Sequence, residues 1–187
     1  MTRFLVLQLL VCRAAIGGSA EADRPDVASL RLVPFPKEIR WEPGQFELDR
    51  ELVLGVPPGQ EQVLGEGLNA ELRQAGFEAA RVDAVAGAAC WWRLGRAPEP
   101  APASLPRREE GAESYVLEIG PAGIVCAAGD SAGLFCGLQT LRQLIRANRR
   151  GAALPCLAIR DRPLLRWRCF QDDMTRGPSS TLATLRF

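Results

Sequence analysis

The sequence predicts an α+β fold: a mostly antiparallel sheet with two helices on one face, followed from Asp161 by the opening of a second, β/α unit. Three observations predict it. Strand-like and amphipathic stretches alternate as strands, helix, strands, helix, strand, with short turns between neighbouring strands that favour antiparallel pairing. Both helical stretches carry apolar stripes at helical spacing, Leu64-Leu68-Leu72 and Leu134-Leu138-Leu141-Ile145. The stretch from Asp161 to Phe187 reads as a strand, a turn and the start of a helix, with no second strand to pair with it. A chain of 187 residues, 47% apolar, is long enough for one domain with a proper core and some remainder.

Taken in order, residues 1–22 read as an export signal. Met1-Thr2-Arg3 give a short positive start, Phe4 to Cys12 an apolar run, and small residues allow cleavage after Ala20 or Ala22. The run is well short of the roughly 20 apolar residues that span a bilayer. Residues 23–29 read as a mobile segment and 30–160 as the α+β domain. Ile39-Arg40-Trp41 and Gln45-Phe46-Glu47-Leu48 flank Glu42-Pro43-Gly44, which suggests a hairpin. Leu52 to Val56 is a strand stopped by Pro57-Pro58. Gln60 to Ala75 is a helix stopped by Gly76, and Cys90 to Leu94 is a further strand. Residues 97–112, rich in proline and charge, read as a solvated loop. Tyr115 to Ile119 and Ile124 to Ala127, joined through Gly120-Pro121-Ala122-Gly123, make the clearest hairpin. Asp130 or Ser131 caps the second helix, and Leu154 to Ile159 return as a strand.

Composition excludes several chemistries. Net charge is +1 and the basic residues are scattered, so neither a nucleic-acid footprint nor a basic membrane patch is expected. Histidine is absent, which removes Ser-His-Asp and Cys-His catalysis and histidine-bearing metal sites. Six cysteines show no C-x-x-C spacing, so buried free thiols are expected rather than a zinc site or redox pair. No metal or cofactor is expected.

Two stretches carry a family resemblance. From Glu113 to Leu144 the chain reads E-S-Y-V-L-E-I-G-P-A-G-I-V-C-A-A-G-D-S-A-G-L-F-C-G-L-Q-T-L-R-Q-L. It resembles the end of the non-catalytic N-terminal domain of glycoside hydrolase family 20, the β-N-acetylhexosaminidases. There a hairpin runs into a helix of the form A-G-x-x-x-G-x-Q-T-L-x-Q-L, matched here from Ala132 to Leu144. Gly133 and Gly137 would thin one helix face so that it approaches the sheet, and Gln139, Thr140 and Gln143 would hydrogen-bond at its border. The second stretch is similar to the family's barrel opening, D-x-P-x-x-x-W-R-G-L-M-L-D-x-S-R. Asp161, Pro163, Trp167, Arg168, Asp173 and Arg176 fall at the same spacing. Val33-Pro34-Phe35-Pro36-Lys37 is similar to the family's first strand.

The resemblance implies an accessory domain followed by a (β/α)8 barrel, with 161–187 as its truncated first unit. It implies removal of terminal N-acetylhexosamine from glycans by a substrate-assisted mechanism that uses an adjacent Asp-Glu pair. No Asp-Glu dipeptide occurs here, and Asp172-Asp173 and Glu109-Glu110 are poor substitutes, so no catalytic residue is assigned and this chain alone is expected to be inactive. Arg168 takes the position of the family's arginine that binds hydroxyls of the terminal sugar. Barrel geometry also points to Gln171, Asp172 and Asp173 at the strand's active-site end. Cys169, Gln171, Asp172 and Gly177-Pro178 depart from the family pattern. Two other readings stay open: a free-standing sugar-binding or interaction module using Trp41, Trp91 or Trp92, and the front domain of another glycosidase, an α-glucuronidase or an O-GlcNAcase-like enzyme.

Overall fold

The computed structural model describes residues 29–48, 51–88, 90–96, 111–169 and 181. The export signal, most of the 23–29 segment, residues 97–110 and the stretch from Phe170 (Thr181 apart) lie outside the described residues.

The described chain forms one seven-stranded sheet and two helices. In chain order they are β1 (Glu38–Glu47), β2 (Val53–Val56), α1 (Glu61–Gln74), β3 (Arg81–Ala84), β4 (Trp91–Gly95), β5 (Tyr115–Gly120), β6 (Gly123–Ala128), α2 (Ser131–Ala147) and β7 (Ala153–Asp161). The sheet order is β1-β7-β5-β6-β4-β2-β3, and only β2 and β3 run parallel, linked through α1. The fold is thus α+β with one mixed, mostly antiparallel sheet.

Both helices lie on the same face. Leu64, Leu68 and Leu72 of α1 and Leu134, Leu138, Leu141 and Ile145 of α2 share one core with Leu54, Trp92, Leu117, Ile124, Leu157 and Ile159 of the sheet. The opposite face carries a small satellite cluster, Ala88, Trp91 and Ala127. α1 ends where Gly76 adopts φ +87°, donating to Arg73 O, while Phe77 N reaches back to Leu72 O at 2.9 Å. These two bonds satisfy carbonyls that the end of a helix leaves bare, and glycine alone adopts that φ without strain.

Several expectations are corrected. The hairpin expected across Ile39 to Leu48 is a single strand, β1, paired with β7 on both sides of an irregularity: Trp41 faces Leu157 and Gln45 faces Pro155. Three residues, Glu42-Pro43-Gly44, thus stand opposite Cys156. Pro43 has no N–H to give, and Gly44 has φ +104°. The same residues that make a turn also make a bulge, and alternation is equal in either case. The strand expected at Val33 to Lys37 is irregular chain. Gln143 Oε1 of α2 accepts from Val33 N at 2.8 Å, and just before this stretch Arg31 N donates to Oδ1 of Asn148, the C-cap of α2, at 2.7 Å. Of the strand expected over Trp167 to Phe170, the described residues Trp167 to Cys169 are irregular and exposed, with no ladder partner among the described residues, and Phe170 lies outside them. Strand β3 was not expected; Arg81-Val82-Asp83-Ala84 is a polar edge strand with one strong β-former.

Candidate functional site

The motif helix α2 is where sequence and geometry meet. Asp130 is its N-cap, accepting from Gly133 N at 2.8 Å. An added Cβ at Gly133 would lie 2.5 Å from Ser114 O, and one at Gly137 would fall closer still to Cys126 Sγ. The two glycines bring α2 down onto β5 and β6. Thr140 is buried and its Oγ1 lies 2.6 Å from the Tyr115 hydroxyl. Gln143 clasps Val33 through both its amide atoms, donating to Val33 O at 3.1 Å. Gln139 accepts from Arg142 Nη1 at 2.9 Å. Every polar position of the motif therefore has a partner, and all of them are architectural.

Burial holds the Tyr115 phenol well above its ordinary value near 10, outweighing the bond to Thr140. Burial likewise raises the Cys126 thiol, with Cys136 adding to it, and raises Cys136 and Cys156. These groups stay protonated in the native chain where the unfolded chain begins to lose protons. Stability is therefore complete below the ordinary values near 9 and 10 and falls as pH rises through and beyond them. Urea melts from pH 7 to 11 should show that alkaline decline, and Tyr115→Phe should flatten its upper part while costing about 1 kcal/mol at pH 7 for the lost hydrogen bond. Cys126 and Cys156 are buried thiols, whereas Cys169 is exposed. Peptide mapping after brief alkylation at pH 8 should find Cys169 modified first and those two only on unfolding.

Arg168 lies beside the N-terminal end of α2. Its Nη2 forms an ion pair with the Glu113 carboxylate, and its Nη1 donates to Leu165 O at 2.7 Å. Glu113 has φ +62°, a left-handed conformation rare outside glycine, and its N–H points at the Asp130 carboxylate at 3.3 Å. Two carboxylates and a guanidinium thus gather at one helix start. Asp130 caps the helix and Glu113 holds Arg168, so neither is free for acid–base work. Sequence reasoning named Arg168 and Asp130 but assigned no role to Glu113. The other named positions, Gln171, Asp172, Asp173, Glu109 and Glu110, lie outside the described residues.

The remaining buried charge is structural. Glu71 of α1 is 1% exposed and binds Arg146 of α2 through Nε at 3.0 Å and Nη2 at 2.5 Å, with Arg142 Nε at 3.5 Å. The trio clamps the two helices. An open groove of about 660 Å³ runs past the bulge, lined by Trp41, Glu42, Asn148, Arg149 and Cys156 among others, with one carboxylate and so no acid–base pair. Trp91 and Trp92, offered as sugar-stacking surfaces, are buried at 4% and 0% exposure, and Trp92 Nε1 donates to Leu134 O at 3.0 Å. No cluster of three or more metal-ligating side chains occurs among the described residues. No helix among them is long and apolar enough to cross a membrane.

Compared with known families, residues 29–162 match the model of glycosyl hydrolase family 20, domain 2. The chain belongs to glycosyl hydrolase family 20. The family-20 domain also accounts for the similarity to solved structures. Streptomyces plicatus β-hexosaminidase in complex with its product GlcNAc is 25% identical with a TM-score of 0.54, over 77% of this chain and 28% of that one. The Streptomyces plicatus enzyme bound to thio-NAglucal is 26% identical, with a TM-score of 0.51, over 72% and 26%. Flavobacterium johnsoniae chitobiase shares the fold at 19% identity, with a TM-score of 0.52, over 82% and 24%. The chain spans about a quarter of the length of these family-20 structures. No curated protein matches it.

Proposed function

We propose that this chain is the front part of an exported β-N-acetylhexosaminidase-like glycosidase, supplying its accessory domain and the first unit of its catalytic barrel. The observation that carries the reading is the family-20 domain 2 match over 29–162, within which each motif position of α2 has a structural task. In the longer enzyme the substrate's own acetamido oxygen attacks the anomeric carbon, and the carboxylates that assist it come from outside this chain. Arg168 binds hydroxyls of the terminal sugar, for which the planar fork of a guanidinium suits paired oxygens. The 187-residue chain, with no Asp-Glu pair, is inactive by itself. Burial of Trp91 and Trp92 removes two of the three stacking surfaces that a free-standing sugar-binding module would use.

The test is to assay the 187-residue chain and a polypeptide extended in frame past Phe187 on aryl N-acetylglucosaminides and aryl glucuronides. Turnover of the first substrate by the extended protein alone is expected; turnover of the glucuronide, or of neither, overturns the reading. In an active extended enzyme, Arg168→Ala should lower kcat/KM by about 10- to 100-fold, the loss of charge-assisted bonds of about 1.5–3 kcal/mol. Export is checked by mass spectrometry of the secreted product, whose first residue should be Glu21 or Asp23.

A further inference from the structure

Trp41 behaves unlike the two tryptophans of β4. Trp91 and Trp92 are buried, whereas Trp41 is half-buried: it packs against the domain core and also lines the open groove beside the β1 bulge. That groove holds about 660 Å³, within the range of small-molecule sites, about 300–1,000 Å³. Trp41, Glu42 and Gln45 of β1 form one wall, and Asn148 and Arg149 after α2 form the other. Pro155, beside the groove, stands about 20 Å at strand rise from Asp161, where the chain leaves β7.

Both walls are fixed by bonds within the domain. The Asn148 amide binds Arg31 N and O and the Gln143 carbonyl. Arg149 donates through Nη1 to Gly151 O at 2.7 Å and through Nη2 to Ala75 O at 3.4 Å, with its guanidinium 5.3 Å from the centre of the Phe77 ring. Arg40 Nε donates to Glu42 Oε1 at 2.8 Å, which offsets the charge of that carboxylate. The bulge itself is wedged in place. Gly44 has φ +104°, and a Cβ there would lie 2.9 Å from Pro121 Cγ and 3.6 Å from Cys156 Sγ. A bulge re-aims the side chains around it, and walls held this firmly lose little freedom when a ligand binds.

Three polar groups in this rigid setting have no hydrogen-bond partner among the described residues: the Trp41 indole N–H, the Gln45 amide and the second oxygen of Glu42. They offer a donor, a donor–acceptor pair and an acceptor beside an aromatic ring. We propose that the groove binds a neutral oligosaccharide, with Trp41 as the platform for one pyranose ring. A pyranose has apolar C–H faces for the indole and hydroxyls, each donor and acceptor, for the three polar groups. The charge on the walls argues against other ligands. An anion finds the Arg149 fork already engaged by two carbonyls, and a cation finds Glu42 already paired. An apolar peptide side chain would cover the indole N–H and the Gln45 amide without satisfying them, at a cost of about 1–3 kcal/mol for each group buried unpaired. With one carboxylate in the groove, the site binds and does not hydrolyse.

Indole N–H resonances of the 187-residue chain test this, with that of Trp41 identified by its loss in Trp41→Phe. Triacetylchitotriose and cellotriose are titrated to about 10 mM, enough to populate a site with a dissociation constant of about 1 mM. The Trp41 resonance should shift saturably with at least one of the two sugars, while that of Trp92, held on Leu134 O, stays in place. Trp41→Ala should weaken binding about tenfold or more. Gln45→Ala, at an exposed position that leaves the fold intact, should weaken it about 2- to 10-fold, the worth of one neutral hydrogen bond. No shift with either sugar, a shift confined to the exposed Trp167, or unchanged affinity in Gln45→Ala and Trp41→Phe alike overturns the proposal. An equal shift with N-acetylphenylalanine amide assigns the groove to an apolar peptide side chain and also overturns it. Binding in a chain whose in-frame extension hydrolyses nothing upholds the groove and sinks the proposed activity. Absence of binding beside an active extension overturns the groove alone.

Discussion

Replacing Gly133 by alanine is expected to destabilise the domain by about 1–3 kcal/mol, although the same change in an ordinary helix would stabilise it. Two effects oppose each other. Alanine is about 1 kcal/mol better than glycine inside a helix. Against that, the new methyl would lie 2.5 Å from Ser114 O and 2.9 Å from the Ala128 side chain. The first obstacle is a backbone carbonyl at the start of β5, which cannot rotate aside, so the whole helix must lift. Overpacking of this kind costs about 1–3 kcal/mol and occasionally more, and lifting α2 also loosens the Thr140–Tyr115 bond. Gly137→Ala meets side chains instead, Cys126 Sγ and the Tyr115 ring, which can yield in part, so its cost should be smaller. Gly67→Ala is the control: its methyl would meet only Leu138 Cδ2 at 3.3 Å, the far end of a flexible side chain. That change should be neutral or slightly stabilising. Urea melts decide it: with a slope of about 2 kcal/mol per molar, Gly133→Ala should lower the midpoint by about 0.5–1.5 M. A midpoint that rises would mean that the close approach of α2 to the sheet is wrong.

The same helix shows what can be read from a sequence and what cannot. The stripe Leu134-Leu138-Leu141-Ile145 identified the buried side of α2 because a period near 3.6 leaves no other face for it. The glycine pair signalled close approach, and the structure supplies the two objects approached, Ser114 O and Cys126 Sγ. β1 was misread because Pro43 and Gly44 break a ladder equally well as a turn or as a bulge. What settles between them is β7, more than a hundred residues later in the chain. β3 was missed because its pairing comes from the crossover through α1, with no apolar alternation of its own. A long-range backbone partner has no local signature.

The candidate site was legible only through resemblance. Nothing in the spacing of Arg168 distinguishes it from the other scattered arginines; the D-x-P-x-x-x-W-R frame does. The structure gives it a partner, Glu113, that reading along the chain could not, since the pair is separated by 55 positions and joined only when β7 comes to lie beside β5.

Removing Arg146 should damage the domain more than removing the carboxylate it binds. Glu71 is 1% exposed, whereas the side chains of Arg146 and Arg142 are 55% and 26% exposed. Arg146→Met therefore leaves a buried carboxylate with Arg142 alone, at 3.5 Å, to compensate it. Breaking one half of a buried pair costs about 3–5 kcal/mol, and the surviving arginine reduces that to about 2–3 kcal/mol. Glu71→Leu leaves two guanidiniums that can turn to water, and places an apolar side chain beside Leu68 and Leu72, so its cost should stay within about 1 kcal/mol. The double variant Glu71→Leu with Arg146→Met should recover most of the loss of Arg146→Met alone, giving a coupling above about 1.5 kcal/mol in a double-mutant cycle. Equal losses for the two single variants, with no coupling, would mean that the clamp is a surface ion pair of little consequence and that apolar packing alone holds α1 against α2.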